Sequence, residues 1–321
     1  MWIGCLMLSF AICFAAMPAV IGLSWRLGAV DVPRDWRRMH RKSTPRAGGL
    51  AIFFAFALSC AATVIGTRQV YCAVGGGLLM LLLGVGDDVF SLDAWVKLFF
   101  QVAIVIATLL GYGFTRPITL LPAVFWVILL SNAHNLIDGL DGLFGGCATI
   151  EGGALAVSLL IGGAVAHAQA TLCLVGGCMA FLFFNRHPAR IFAGDCGSGT
   201  VGFLFGMLSL PLLLENGHVN TVLAVPLIFG YPLTDLIAAV LRRVLKGQSP
   251  FSADRAHLHH RVCAAGLPIK SCVLVFWTIT LSLSTLGVLL LDTRLLPFSS
   301  LFCMGIALLL MRFRRFIAKI S

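Results

Sequence analysis

Charge is what this sequence has least of. Only 11% of its 321 residues are Asp, Glu, Lys or Arg, and Asp and Glu together number 13. A soluble globular domain carries about 25% charged residues. With 59% of the chain hydrophobic and a mean hydropathy of +0.98, a water-soluble globule is excluded. The 11 cysteines contain no CxxC pair and no Cys/His zinc spacing. Cys13, Cys60, Cys173 and Cys178 lie in apolar runs, where Cys acts as a small core residue, so they say little about redox compartment. The first apolar run, 3–23, lacks a basic stretch before it and a small-residue cleavage site after it. It reads as a retained span, not a signal peptide. No convincing internal repeat is present and the acids read as lying at span ends, which argues against a multi-span transporter with midplane sites.

What is present is a series of apolar runs at 3–23, 48–65, 71–86, 96–113, 118–131, 143–166, 170–184, 197–214, 221–241, 271–291 and 295–311. Several fall short of the roughly 20 residues a straight span needs. The expectation is an all-α polytopic membrane protein of about eleven transmembrane helices, one domain over 1–321. Placing the N-terminus outside leaves twenty Lys and Arg residues on the inner side and only Arg68, Arg116 and Arg294 outside. That asymmetry predicts an outside N-terminus and a cytoplasmic C-terminus. It also accounts for the net charge of +10 without nucleic acid as a partner.

The same arrangement puts Asp87, Asp88, Asp93, Asp138, Asp141, Asp195 and Asp254 on the inner side, with His40, His134, His187, His257, His259 and His260. A cytoplasmic site is expected, built from segments between spans. The most telling is Asn135-Leu136-Ile137-Asp138-Gly139-Leu140-Asp141-Gly142. Its Asn135, Asp138 and Asp141 step by three and would share one face of any helical continuation. The basic loop from His40 to Gly49 reads as an anion site, helped by backbone N–H groups at a helix start. Asp87 and Asp88 diverge by about 100° on a helix, so they are expected to play different parts, with a cation or Lys97 as partner. In the run from Asn185 to Thr200, Gly197, Ser198 and Gly199 at a helix start suit phosphate contact. A Walker A loop is excluded, because no Gly-Lys-Ser/Thr stands at the required spacing. A last inner loop carries Arg242, Arg243, Asp254, Arg255, His257, His259 and His260.

Taken in order, these segments resemble the polyprenyl-phosphate N-acetylhexosamine-1-phosphate transferases, the superfamily of WecA-type and MraY-type enzymes. The resemblance covers essentially the whole chain. Its specific motifs are Asn135-x-x-Asp138-Gly-x-Asp141-Gly-Leu, the segment from Asn185 to Asp195, and Asp254-Arg255-Ala256-His257-Leu258-His259-His260. The last is similar to the His-Ile-His-His loop of the WecA branch, with Leu258 for Ile, and lacks the uninterrupted His run of MraY-type enzymes. A CDP-alcohol transferase is disfavoured, since Asp141-Gly142 is not followed by that family's Ala-Arg.

The resemblance implies transfer of an N-acetylhexosamine 1-phosphate, from GlcNAc or a related deoxy-amino sugar, from a UDP-N-acetylhexosamine to undecaprenyl phosphate, releasing UMP. It places the enzyme in the bacterial inner membrane bilayer, facing the cytoplasm, at the start of a lipid-linked envelope glycan such as O-antigen or cell wall. The rival reading is an MraY-like transferase of phospho-MurNAc-pentapeptide. Mg2+ is the implied cofactor, with Mn2+ able to substitute. By motif, Asp195 is the direct metal ligand, with Asp87 or Asp88 nearby and Asn185 supporting. Asp87, Asp88, Lys97 and Asp195 form the catalytic group, and Lys97 faces the reacting phosphates. Asn135, Asp138 and Asp141 line the nucleotide and metal cleft. Arg243, Asp254, Arg255, His257, His259 and His260 hold the pyrophosphate and sugar. The oligomeric state is left open between monomer and homodimer.

Overall fold

A computed structural model describes residues 2–31, 43–64, 67–215, 219–249 and 257–292. The expected run at 295–311 lies outside them, as do His40, Asp254 and Arg255. The other ten runs fall mainly on helices. They form α1 (Trp2–Leu27), α2 (Gly48–Thr63), α3 (Arg68–Phe90), α4 (Ala94–Tyr112), α5 (Pro117–Ile137), α6 (Leu143–Ile161) and α7 (Val165–Asn185). After these come α8 (Asp195–Leu210), which runs into a π-turn at Pro211–Glu215, then α9 (Val219–Ile228) and α10 (Gly230–Leu245). A short α11 (Leu258–Ala264) and α12 (Ile269–Leu291) complete the described helices. Among the described residues eight helices are long and apolar enough to cross a membrane, and α2 is shorter, with 16 residues.

The run at 221–241 is not one straight span. It breaks at Phe229 into α9 and α10, bent by 81°. Pro226, Gly230 and Pro232 crowd the break, and Pro removes the N–H that would continue the ladder. Two acids also depart from the span-end expectation. Glu151 sits in the middle of α6 and Asp235 within α10, both completely buried.

The outer faces are apolar: Ile118, Phe125 and Phe99 are each at least two-thirds exposed. Such faces suit a hydrocarbon surround, not water. With lipid outside, burial of apolar surface cannot by itself drive helices together, so close packing of small residues must. Helix α8 shows this. Beyond Asp195 it is buried along its whole length, enclosed chiefly by α5 and α3 with α2 behind. Gly202 and Gly206 bring its backbone onto Leu130 and Val127 of α5, and Ser131 Oγ donates to Gly199 O at 2.9 Å. At its first turn Gly197 rests backbone to backbone on Gly49 of α2, and Gly84 of α3 meets Cys196. A side chain on Gly49 or Gly84 would push α8 off the start of α2 or the end of α3.

A two-residue antiparallel ribbon, β1 (Val30–Asp31) with β2 (Thr44–Pro45), leads into α2. Arg46 N donates to Ala29 O at 2.9 Å, fixing Arg46 beside the start of α8.

Candidate active site

The ends of α3, α4, α5 and α8 meet at one place, and their polar residues meet with them. Asp93 caps α4, its carboxylate accepting from Trp95 N at 2.9 Å. That fixes the α3–α4 corner and brings Lys97, in the first turn of α4, back toward the last turn of α3. Lys97 Nζ then lies 2.6 Å from Asp87 Oδ2 and 2.5 Å from Asp195 Oδ2. Asp87 Oδ1 accepts from Leu92 N at 2.8 Å, which holds the carboxylate in that direction.

Asp88 does something different, as the divergence of neighbours on a helix requires. Its Oδ1 accepts from Asp195 N at 3.1 Å and its Oδ2 from Cys196 N at 3.0 Å. It is therefore the cap of α8, supplied from another helix, a place where a carboxylate also meets the positive end of the helix dipole. Arg46 stands 3.6 Å from the same carboxylate. Gly194, with φ 72°, makes the turn into α8, and its Cα lies against Arg46 O and the Asp88 carboxylate. Both the positive φ and the crowding exclude a side chain there.

This geometry corrects two sequence-based expectations. The N–H groups of Gly197 and Ser198, expected to bind phosphate, both donate to Gly194 O at 3.0 Å. With Asp88 taking the two before them, the first turn of α8 has no N–H left for a ligand. At the start of α2, Gly48 N and Gly49 N donate to Phe192 O and Ala193 O, each at 3.0 Å. Those groups staple the loop before α8 to α2 instead of presenting an anion site.

The Asn135–Gly142 segment closes the other side. Asn135 donates to Ser198 Oγ at 3.2 Å. Asp138 ends α5 beside Arg46, Asp195 and Asp88. Burial pushes its carboxyl up to about 7; Arg46 opposes the rise and the other two acids add to it. Asp141 and Asn185 are committed to the protein. Asp141 Oδ2 accepts from His187 Nδ1 at 2.7 Å and from Ala189 N at 3.0 Å. Asn185, completely buried, accepts from Gly142 N at 2.9 Å and donates to Ile191 O at 3.0 Å. Both tie the segment to the loop before α8.

The histidine motif docks onto the same segment. Asp235 Oδ1 accepts from Leu258 N at 2.9 Å, and its Oδ2 lies 3.2 Å from His257 Nδ1. His259 is completely buried with its ring against Gly139, and among the described residues no hydrogen-bond partner meets either ring nitrogen. Burial first, then the neighbouring His260, lowers it to about 3, so the ring is neutral. His260 is only partly buried. Arg243 is buried in the last turn of α10, the helix that carries Asp235.

Three groups here are given no role of their own by the sequence. Arg46 reads there only as one cation of the basic loop from His40 to Gly49, expected to be an anion site. Asp235 gave no signal, because it lies inside an apolar run and 22 residues before His257. The third is a fully buried pair, His134 Nε2 with Glu151 Oε2 at 2.9 Å, joining α5 to α6 next to Asn135. Among the described residues no three His, Cys, Asp or Glu side chains gather as a complete metal-ligand set. Asp87 and Asp195 nevertheless converge on one cationic point, offering the oxygen donors a hard divalent ion prefers.

Comparison with known proteins agrees with this arrangement. The family model described as Glycosyl transferase family 4 matches residues 70–212, from α3 to the π-turn after α8. A probable undecaprenyl-phosphate N-acetylglucosaminyl 1-phosphate transferase of Bacillus subtilis (strain 168) is 35% identical, over 82% of this chain and 77% of the relative. The undecaprenyl-phosphate alpha-N-acetylglucosaminyl 1-phosphate transferase of Yersinia pestis is 30% identical, over 88% and 81%. A decaprenyl-phosphate N-acetylglucosaminephosphotransferase of Mycolicibacterium smegmatis is 32% identical, over 79% and 73%. With relatives this similar along most of its length, the chain belongs to the polyprenyl-phosphate N-acetylhexosamine-1-phosphate transferase family, on its WecA-type branch.

Proposed function

We propose that the protein transfers N-acetylglucosamine 1-phosphate from UDP-N-acetylglucosamine to undecaprenyl phosphate, releasing UMP, at a cytoplasmic site in a bacterial inner membrane. The observation that carries this is the Asp87–Lys97–Asp195 cluster, set at the ends of membrane-length helices where a lipid phosphate and a soluble nucleotide can meet. The relatives' names supply the sugar and the lipid class. They favour GlcNAc among the amino sugars, and the WecA-like reading over the MraY-like one.

Release of UMP fixes the bond changes. An oxygen of the lipid phosphate attacks the sugar-bearing phosphorus of the donor. The bond from that phosphorus to the bridging oxygen breaks, and the electron pair leaves with UMP. A phosphate monoester has its second pKa near ~6, so the lipid nucleophile is largely dianionic at neutral pH. Strong base catalysis is therefore not required, and positioning with charge compensation carries most of the barrier, as in other phosphoryl transfers. Lys97 is the group that balances phosphate charge. Asp88, through the first amides of α8, fixes where Asp195 points. Asn135 and Asp138 line the donor cleft, with Asp141 and Asn185 holding its backbone in place.

Asp195 and Asp87 would hold Mg2+, with substrate phosphates and water completing its shell, since Mg2+ seldom has an all-protein cage. When bound, the ion neutralises charge between the two phosphate groups. Asp88, with an amide on each oxygen, is the positioning group and not a ligand.

The orientation is part of the proposal: N-terminus outside, C-terminus inside, eleven spans once 295–311 is counted. A reporter active only in the cytoplasm should give signal when fused after Ser321 and none when fused within 216–218. The reverse pattern would remove the cytoplasmic site. For the reaction itself, washed membranes given undecaprenyl phosphate should move radiolabel from UDP-GlcNAc into organic solvent. Labelling by the UDP-MurNAc-pentapeptide donor alone would overturn the assignment of the sugar.

A further inference from the structure

We propose that a basic cavity between the end of α7 and the start of α12 binds the phosphate headgroup of an anionic phospholipid from the adjoining leaflet. The lining of the cavity, about 580 Å3, is of two kinds. Arg186, Arg190, Lys270 and His187 supply its basic part, and Phe183, Leu274 and Trp277 contribute to its apolar part. Its size falls within the range of small-molecule sites, roughly 300–1,000 Å3. Neither Asp87, Lys97 nor Asp195 lines it, so it stands apart from the transfer cluster.

Charge is unbalanced there. The carboxylate in the lining is Asp141, and its Oδ2 already accepts from His187 and Ala189 N. Among the described residues no carboxylate lies within ion-pair distance of Arg186, Arg190 or Lys270. Arg186 lies over the Phe183 ring, 5.8 Å from its centroid, but three cations around one cavity with no carboxylate partner call for an anion from outside the protein. Scattered interfacial cations that only set topology need not converge in this way.

The apolar part of the lining says which anion. Phe183 and Leu274 are 50% and 46% exposed on helices of membrane length, so they border acyl chains. A free nucleotide or inorganic phosphate would satisfy the cations and leave these apolar groups wet. A phospholipid satisfies both, its phosphate on Arg and Lys and its glycerol and upper chains on Phe and Leu. Trp277 stands between, with its indole on Gly146 and its Nε1 donating to Gly142 O at 3.2 Å. A Trp with one polar and one apolar edge suits the headgroup level of a bilayer. Through Gly142 the cavity floor adjoins the segment that carries Asp138 and Asp141.

The test places the full-length protein in phosphatidylcholine nanodiscs with increasing phosphatidylglycerol brominated high on its chains. Quenching of Trp277 is read as the wild-type signal minus that of Trp277→Phe. Saturating quenching is expected at a phosphatidylglycerol fraction well below that of brominated phosphatidylcholine. The fraction needed should rise roughly fivefold in Lys270→Gln or Arg190→Gln and about 30-fold in the double variant, from about 1 kcal/mol per surface cation. Raising salt to 0.5 M should weaken the wild-type signal in the same direction, a check that needs no substitution. Equal quenching by both lipids, or a double variant with the wild-type curve, overturns the proposal. So does displacement by millimolar glycerol 3-phosphate, which would mean a free-phosphate site, or by UDP-GlcNAc, which would mean a nucleotide site. The readout is independent of turnover, so it stands or fails separately from the proposed reaction.

Discussion

Asp195→Asn should abolish transfer, by about a thousandfold or more in kcat, while the protein still extracts and melts as a folded species. The carboxylate is one of two that converge on Lys97 Nζ, so its loss removes half of the negative pole facing that ammonium. An asparagine fills the same volume, and its backbone N–H can still donate to Asp88, so α8 keeps its cap. Loss of one preorganised charge at the reacting phosphates costs several kcal/mol in comparable sites, hence the size of the effect. The measurement is kcat in detergent with UDP-GlcNAc and undecaprenyl phosphate at saturation, alongside a thermal melt. Activity within tenfold of wild type would take Asp195 out of the reaction.

Asp87 and Asp88 should then separate cleanly. Asp87→Asn is expected to lose a hundredfold or more in kcat with little change in melting temperature, because its Oδ2 faces Lys97 and only Oδ1 serves the fold. Asp88→Ala should do the reverse in kind. Removing a carboxylate that caps two amides of a buried helix start costs about 1–3 kcal/mol, seen as a lowered melt, and activity falls because Asp195 loses its anchor. Asp88→Asn, still able to accept one N–H, should recover part of both losses. The corresponding rescue would be absent at Asp87, where charge and not shape is at stake. Equal losses in kcat and equal melts for the two asparagine variants would mean the pair is interchangeable charge.

The divergence of this pair was readable from helix geometry alone; which residue faced which way was not. That depended on where α8 begins, a tertiary fact set by Gly49, Gly84 and Gly197 letting three helix ends touch. The spans were legible because lipid demands long apolar runs, and ten of the expected runs fall on described helices. The bend at Phe229 was lost inside an equally apolar run, although Pro226, Gly230 and Pro232 stood there to signal it. Glu151 and Asp235 were missed for the same reason. A single acid inside an apolar run carries no period, and its partners His134 and His257 lie 17 and 22 residues away. The amides of Gly48, Gly49, Gly197 and Ser198 misled in the opposite direction. A glycine-rich helix start looks like a phosphate cradle until the carbonyls and the carboxylate that already occupy it are located.

The central claim is that a sugar phosphate, and not a sugar alone, moves to the lipid. UDP-GlcNAc labelled with 32P on the phosphorus next to the sugar, incubated with purified protein, Mg2+ and undecaprenyl phosphate, tests it most directly. The label should pass quantitatively into the lipid fraction, while label on the uridine-side phosphorus should appear as UMP. Sugar-side 32P recovered in the aqueous phase as UDP, with GlcNAc on the lipid, would contradict the account.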